Sequence, residues 1–170
     1  MENDGERRAT HATEQLRAAG LRVTAARLAV VRVLERHPHA DAESIIAEVR
    51  GELGTVSHQT VYGVLQALVE AGLARRIEPA GSPGRYELRV GDNHHHIVCR
   101  SCGATVDVDC VVGERPCLTP SETHGYLLDE AEVTFWGLCP ACRDGERARH
   151  SERVDADIDT GIRGGTQWMR

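Results

Sequence analysis

Apolar positions recur at helical spacing through the first 72 residues in runs that are punctuated by capping and turn residues, which predicts a helical first half. Glu14 to Ala19 reads as helix ending at Gly20. Thr24 caps a second segment in which Leu28, Val31 and Leu34 share a face, and His37-Pro38 stops it. Asp41 caps a third, with Ile45, Ile46 and Val49 inward and a loop at Gly51 to Gly54. Ser57 caps a fourth, whose stripe is Val61, Val64, Leu65 and Leu68, with Gly72 as terminator. The rhythm then changes: Leu73 to Ile77 and Arg85 to Leu88 flank the turn PAGSPG and predict a short hairpin. Helices followed by such a hairpin are the order of a winged helix.

The fourth segment carries its information on its polar face. His58, Gln59, Tyr62 and Gln66 stand where a solvated helix would usually show Glu or Arg. A helix of this kind matches the recognition element of a helix-turn-helix, whose N-terminal residues meet base edges in the major groove. Arg75 and Arg76 on the wing, with Arg17 and Arg22 near the first cap, are candidate phosphate contacts; the plain alternative for each is a solvated surface arginine.

The second half carries metal chemistry. Cys99 and Cys102 in CRSC and Cys139 and Cys142 in CPAC are two C-x-x-C clips about three dozen residues apart, a spacing that places four thiolates around one tetrahedral Zn²⁺. Neither pair sits between a buried strand and a helix start, which weakens a thioredoxin-like reading. Just before the first clip lies GDNHHHIVC. If this segment is a strand, His94 and His96 point to one face and His95 to the other. With Glu87 and Asp107 they form a mixed nitrogen and oxygen set suited to Fe²⁺ or Mn²⁺; the alternative is a solvent-facing histidine run. His37 or His39, in the linker after the second helix, could join that set and tie the two halves together, and spacing does not rank them.

Composition narrows the field without deciding it. The chain has 170 residues and a formal net charge of −6, which argues against a protein that coats nucleic acid, yet local clusters of Arg permit DNA binding. The N-terminus has no apolar signal core and no stretch is long enough to span a bilayer, so a cytoplasmic protein of two small domains is expected. Cys110 and Cys117 belong to neither clip and could pair in a disulfide if the chain turns at Gly113, or could be inert. From Asp144 onward the sequence lacks a continuous apolar face and reads as a mobile tail. A metal-dependent hydrolase would need a general base, and none is apparent beyond the proposed ligands.

Over roughly residues 14–143 the sequence resembles the ferric uptake regulator family. GLRVTAAR, SHQTVYGVLQALVEAGL, RYEL, HHHIVCRSCG and WGLCPAC carry the resemblance. The runs RRIEPAGSPGRYELRVGDNHHHIVCRSCG and DEAEVTFWGLCP are most similar to its actinobacterial, catalase-linked branch. The resemblance implies an α/β (α+β) protein: a winged helix-turn-helix DNA-binding domain over 1–90, a small α/β dimerisation and metal-binding domain with structural zinc over 91–143, and a disordered tail over 144–170. It further implies a homodimeric, metal-dependent repressor that binds double-stranded operator DNA. Peroxide would be sensed by oxidation of a ligand histidine, His37 or His94; a thiol switch through Cys110 and Cys117 is the rival, and an iron-responsive repressor without peroxide sensing is the alternative function.

By motif, His37 takes the hinge-ligand position ahead of His39, joined by Glu87, His94, His96 and Asp107. Tyr62 matches a groove-facing tyrosine and Arg22 a basic residue near the backbone. Two positions depart from the pattern. Gly63 follows T-V-Y where many members have Arg or Asn, and Ala131 replaces a histidine of an additional metal site, which puts in doubt a third site built on His95 and Glu114.

Overall fold

The computed structural model describes residues 4–92, 94–109, 120–128 and 131–145. It divides into two compact units, Met1–His94 with Asp109–Ala131, and His95–Val108 with Glu132–Arg170.

The first unit contains the predicted helices. α1 spans Asp4–Ala18 and so begins well before Glu14, because Ala12 and Leu16, one turn apart, are both buried and extend the inward stripe toward the N-terminus. α2 covers Ala25–Arg36, capped by Thr24, whose hydroxyl accepts the Arg27 N–H at 3.3 Å. α3 covers Ala42–Leu53, and the Asp41 carboxylate accepts the Ser44 N–H at 2.8 Å. α4 covers His58–Glu70, where the Ser57 hydroxyl accepts from Thr60 N–H at 3.0 Å. Gly72 follows with φ 65°, a left-handed turn that L side chains avoid, and lets the Leu73 N–H return to the Leu68 carbonyl at 2.9 Å. The predicted inward faces form one core, in which Val30, Val33, Leu34, Ile45, Ile46, Val49, Val61, Leu65 and Leu68 are almost wholly excluded from solvent.

The wing is a three-stranded sheet rather than a plain hairpin. β2 (Arg75–Ile77) and β3 (Arg85–Glu87) pair antiparallel, with Arg76 opposite Tyr86. The unforeseen member is β1, Ala40–Asp41, which pairs with the other side of β3 and puts Ala40 opposite Tyr86. The order is therefore β1-β3-β2. This pairing ties the linker after α2 to the strand that carries Glu87.

The second unit is a three-stranded sheet of order β5-β4-β6. β4 (His94–Cys99) runs parallel to β6 (Thr134–Gly137), with His96 beside Thr134 and Cys99 beside Gly137. β5 (Thr105–Asp109) follows β4 through a tight turn in which the Gly103 N–H donates to the Cys99 carbonyl at 2.9 Å. The chain is thus a winged helix-turn-helix region followed by a small β-rich domain. Among the described residues no helix is long and apolar enough to cross a membrane.

Candidate metal centres and DNA-facing helix

The capped start of α4 leaves His58, Gln59, Tyr62 and Gln66 exposed, while Val61, Val64, Leu65 and Leu68 fix the opposite face in the core. Arg22 and Arg76 are exposed and Arg75 half-buried. Two side chains on α4 meet a residue that the sequence reading did not single out. The Tyr62 hydroxyl donates to Glu43 Oε1 at 3.4 Å, and the same oxygen lies 3.7 Å from His58 Nδ1. Partial burial, together with the Glu43 carboxylate, raises the Tyr62 pKa above its ordinary value.

In the second unit the four cysteines converge. The sulfurs of Cys99, Cys102, Cys139 and Cys142 all lie within 4.8 Å of one another, with Cys102 Sγ 3.7 Å from Cys139 Sγ. The turn after β4 presents one clip, and residues 139–142, at the start of a short helical turn, present the other. Backbone N–H groups of Cys102 and Cys139 lower the Cys99 thiol to about 6, and the Cys139 N–H lies 3.3 Å from that sulfur. At Cys142 a hydrogen bond with Ser101 lowers the pKa, but its neighbouring sulfurs outweigh it and push the thiol up to about 12. Four thiols so close cannot all ionise without a cation among them. The donor set therefore fits a divalent thiophilic ion such as Zn²⁺, whose binding would be linked to release of the remaining protons.

Oxygen and nitrogen donors occur in both units. In the first, His39 and Glu87 are buried, at 5% and 1% exposure, and His39 Nε2 lies 2.9 Å from Glu87 Oε2. His94 Nε2 lies 3.2 Å from Glu87 Oε1, and its Nδ1 lies 2.6 Å from Asp92 Oδ1. Burial alone would raise the Asp92 pKa; hydrogen bonds from Arg89 and His94 outweigh it and hold the carboxyl below its ordinary value. In the second unit, His96 Nε2 lies 3.5 Å from Asp107 Oδ1. Contrary to strict alternation, His94, His95 and His96 are all buried; His95 meets the edge of Phe135 at a centroid distance of 6.4 Å.

The family model for the ferric uptake regulator family matches residues 18–135. The chain belongs to the ferric uptake regulator family. It is 62% identical over 136 residues to the transcriptional regulator FurA of Mycobacterium tuberculosis, covering 80% of this chain and 92% of that protein. It is 57% identical over 132 residues to ferric uptake regulation protein 1 of Mycolicibacterium fortuitum, covering 78% of this chain and 82% of that one. Among solved structures, the Vibrio cholerae ferric uptake regulator superposes with a TM-score of 0.59 at 29% identity, over 74% of this chain and 98% of its own. Membership makes this chain a DNA-binding transcriptional regulator, not an enzyme.

One ligand implied by the family resemblance falls elsewhere. His37 is the C-cap of α2, its side chain is 53% exposed, and its ring lies 4.0 Å from Glu48. The histidine beside Glu87 is His39, and this corrects the choice of His37 over His39 as far as these contacts go. The reason is local. His39 has φ 64° and its N–H donates to the Tyr86 carbonyl at 2.9 Å, so the β1–β3 pairing turns its ring inward while Pro38 leaves His37 at the helix end. The signal that could have found it is the short Ala40-Asp41 bridge, too brief to read as a strand. Cys110, Cys117 and Glu114 lie outside the described residues, as does the tail beyond Gly145.

Proposed function

We propose that this member of the family is a homodimeric, metal-dependent repressor that binds operator DNA through α4 and the wing and releases it when hydrogen peroxide oxidises the regulatory site. Three parts are involved: a DNA-binding domain over 1–90, a dimerisation and metal-binding domain over 91–143, and a tail over 144–170 that is disordered. The observation that carries the reading is the pairing of a helix with an exposed, base-reading face and two donor chemistries of different hardness in one chain.

Zn²⁺ is held by Cys99, Cys102, Cys139 and Cys142 as a closed structural site. Glu87, His94, His96 and Asp107, with a histidine from the 37–39 linker, form the regulatory set for Fe²⁺ or Mn²⁺. Borderline imidazole and hard carboxylate donors suit those ions better than thiolates do. Donors drawn from both halves of the chain let occupancy bias the dimer toward a DNA-binding state, which is what linkage requires. Arg22, Arg75 and Arg76 supply phosphate contacts, and His58, Gln59, Tyr62 and Gln66 face the bases. Dimerisation is supported by Ile97 and Phe135, neighbours in the β4–β6 register that are 39% and 50% exposed. The protein works in the cytoplasm.

Bound Fe²⁺ would supply electrons to peroxide and generate an oxidant beside the histidines, whereas Mn²⁺ reacts poorly with it. An oxidised imidazole is a weaker donor, so the regulatory set loosens and DNA is released. The test is binding of zinc-replete protein to its own upstream DNA in the Fe²⁺ and Mn²⁺ forms, before and after a small peroxide dose. Loss in the Fe²⁺ form alone is expected. Equal loss in both would replace the histidine mechanism with thiol oxidation, and loss in neither would leave an iron-responsive repressor.

A further inference from the structure

The DNA-facing side of α4 carries a carboxylate that belongs to another helix. Glu43 sits in the first turn of α3, its side chain is 68% exposed, and its Oε1 accepts from the Tyr62 hydroxyl at 3.4 Å and lies 3.7 Å from His58 Nδ1. Together with Asp41, Tyr62, Arg76 and Tyr86 it lines a cleft of about 210 Å³ between the reading helix and the wing. The nearest guanidinium on that cleft, Arg76, is paired at 2.7 Å with Glu78, so the cleft carries no surplus positive charge to offset Glu43.

A carboxylate at this place works against DNA binding in general. Affinity for any duplex comes mostly from cations set against phosphates, and an anion on the same face raises the cost of every approach. One chemistry relieves that cost. A carboxylate accepts a hydrogen bond from an exocyclic amine in the major groove, above all cytosine N4–H, and a base pair lacking that amine leaves the charge desolvated and unpaired. Tyr62 and His58, both donors to the same oxygen, hold the Glu43 side chain at the groove-facing surface instead of leaving it to swing into solvent.

We propose that Glu43 is a specificity-determining residue of the operator interface, accepting from a groove amine in the cognate site and penalising duplexes that offer none. This rests on the reading of α4 as the base-contacting helix. It assigns discrimination to a position on the supporting helix, which the polar face of α4 alone did not reveal.

The experiment uses the full-length, zinc-replete, Mn²⁺-loaded protein and fluorescence anisotropy against its own upstream operator and a scrambled duplex of equal length. For Glu43→Gln, which keeps shape and removes charge, affinity for the scrambled duplex should rise about tenfold and for the operator less than threefold, so the specificity ratio falls. A scan of C·G to T·A replacements in the operator should find one position that weakens the wild type and not the variant. An unchanged ratio, whether both affinities rise together or neither moves, overturns the proposal. Tyr62→Ala and Gln59→Ala separate the two ideas. If they weaken operator binding while the Glu43→Gln ratio is unchanged, only the role of Glu43 fails; if both leave operator binding intact, the reading of α4 fails as well.

Discussion

The side chains that fill the first unit are Val, Leu and Ile from four helices, whereas those buried in the described part of the second are Val98, Cys99, His95 and His96. Apolar burial contributes roughly 25 cal/mol per Å² and needs no ligand, so the helical unit carries its own stability. The small sheet has three short strands, exposed apolar residues at Ile97, Val106 and Phe135, and a group of thiols that repel one another when ionised. Its order depends on what those donors bind. The contrast teaches how one chain can separate tasks: the reading surface is built to stay fixed, and the responsive surface is built from groups whose state depends on metal and oxidant.

Removing zinc should separate the two units most sharply. A strong chelator, or Cys102→Ser with Cys139→Ser, should abolish amide protection across β4, β5 and β6 while α2 to α4 keep theirs, because structural zinc binding is worth on the order of 10 kcal/mol or more. Hydrogen exchange read by mass spectrometry would blunt the contrast if both units lost protection equally. The converse change is Leu65→Ala. Leu65 is fully buried in the first core, and its truncation should cost about 2–5 kcal/mol in denaturant unfolding while leaving zinc stoichiometry unchanged.

A finer cut lies within the linker. His39→Ala removes the partner of a Glu87 carboxylate that is 1% exposed, and should destabilise by about 3 kcal/mol through the charge left behind. His37→Ala, at an exposed position, should cost under about 0.5 kcal/mol in the same melts. Reversal of that order would show that the His39–Glu87 contact contributes little.

The smallest effect is at a cap. Asp41→Ala should lower stability by about 1 kcal/mol. The Ser44 backbone N–H holds the Asp41 carboxyl below its ordinary value, so its contribution is complete above the unfolded pKa of about 3.9 and is lost as the pH falls through the lower folded value. Wild type and variant should therefore converge in stability only in acid. A difference that persisted at pH 2 would point to packing rather than capping.

The helices of the first unit were legible because each rule acts over a few residues: Thr24, Asp41 and Ser57 cap three of them as their positions foretold, and the stripes of α2 to α4 are the core. The four-cysteine cluster was legible because two clips leave little freedom. What escaped the sequence depends on contacts between distant residues. β1 is two residues long and exists only through β3. The burial of three consecutive histidines broke the alternation expected of a strand with one wet face. Glu43 carries no periodic or spacing signal; only the packing of α3 against α4 brings it to Tyr62.

The most direct test of metal-controlled repression is a titration of zinc-replete, full-length protein with Mn²⁺ while its binding to its own upstream DNA is followed by fluorescence anisotropy. The account predicts weak binding without Mn²⁺ and at least a tenfold gain on saturation, a coupling of about 1.4 kcal/mol or more, abolished by Glu87→Ala. Tight, sequence-specific binding that is indifferent to Mn²⁺, or a gain that survives Glu87→Ala, would contradict it.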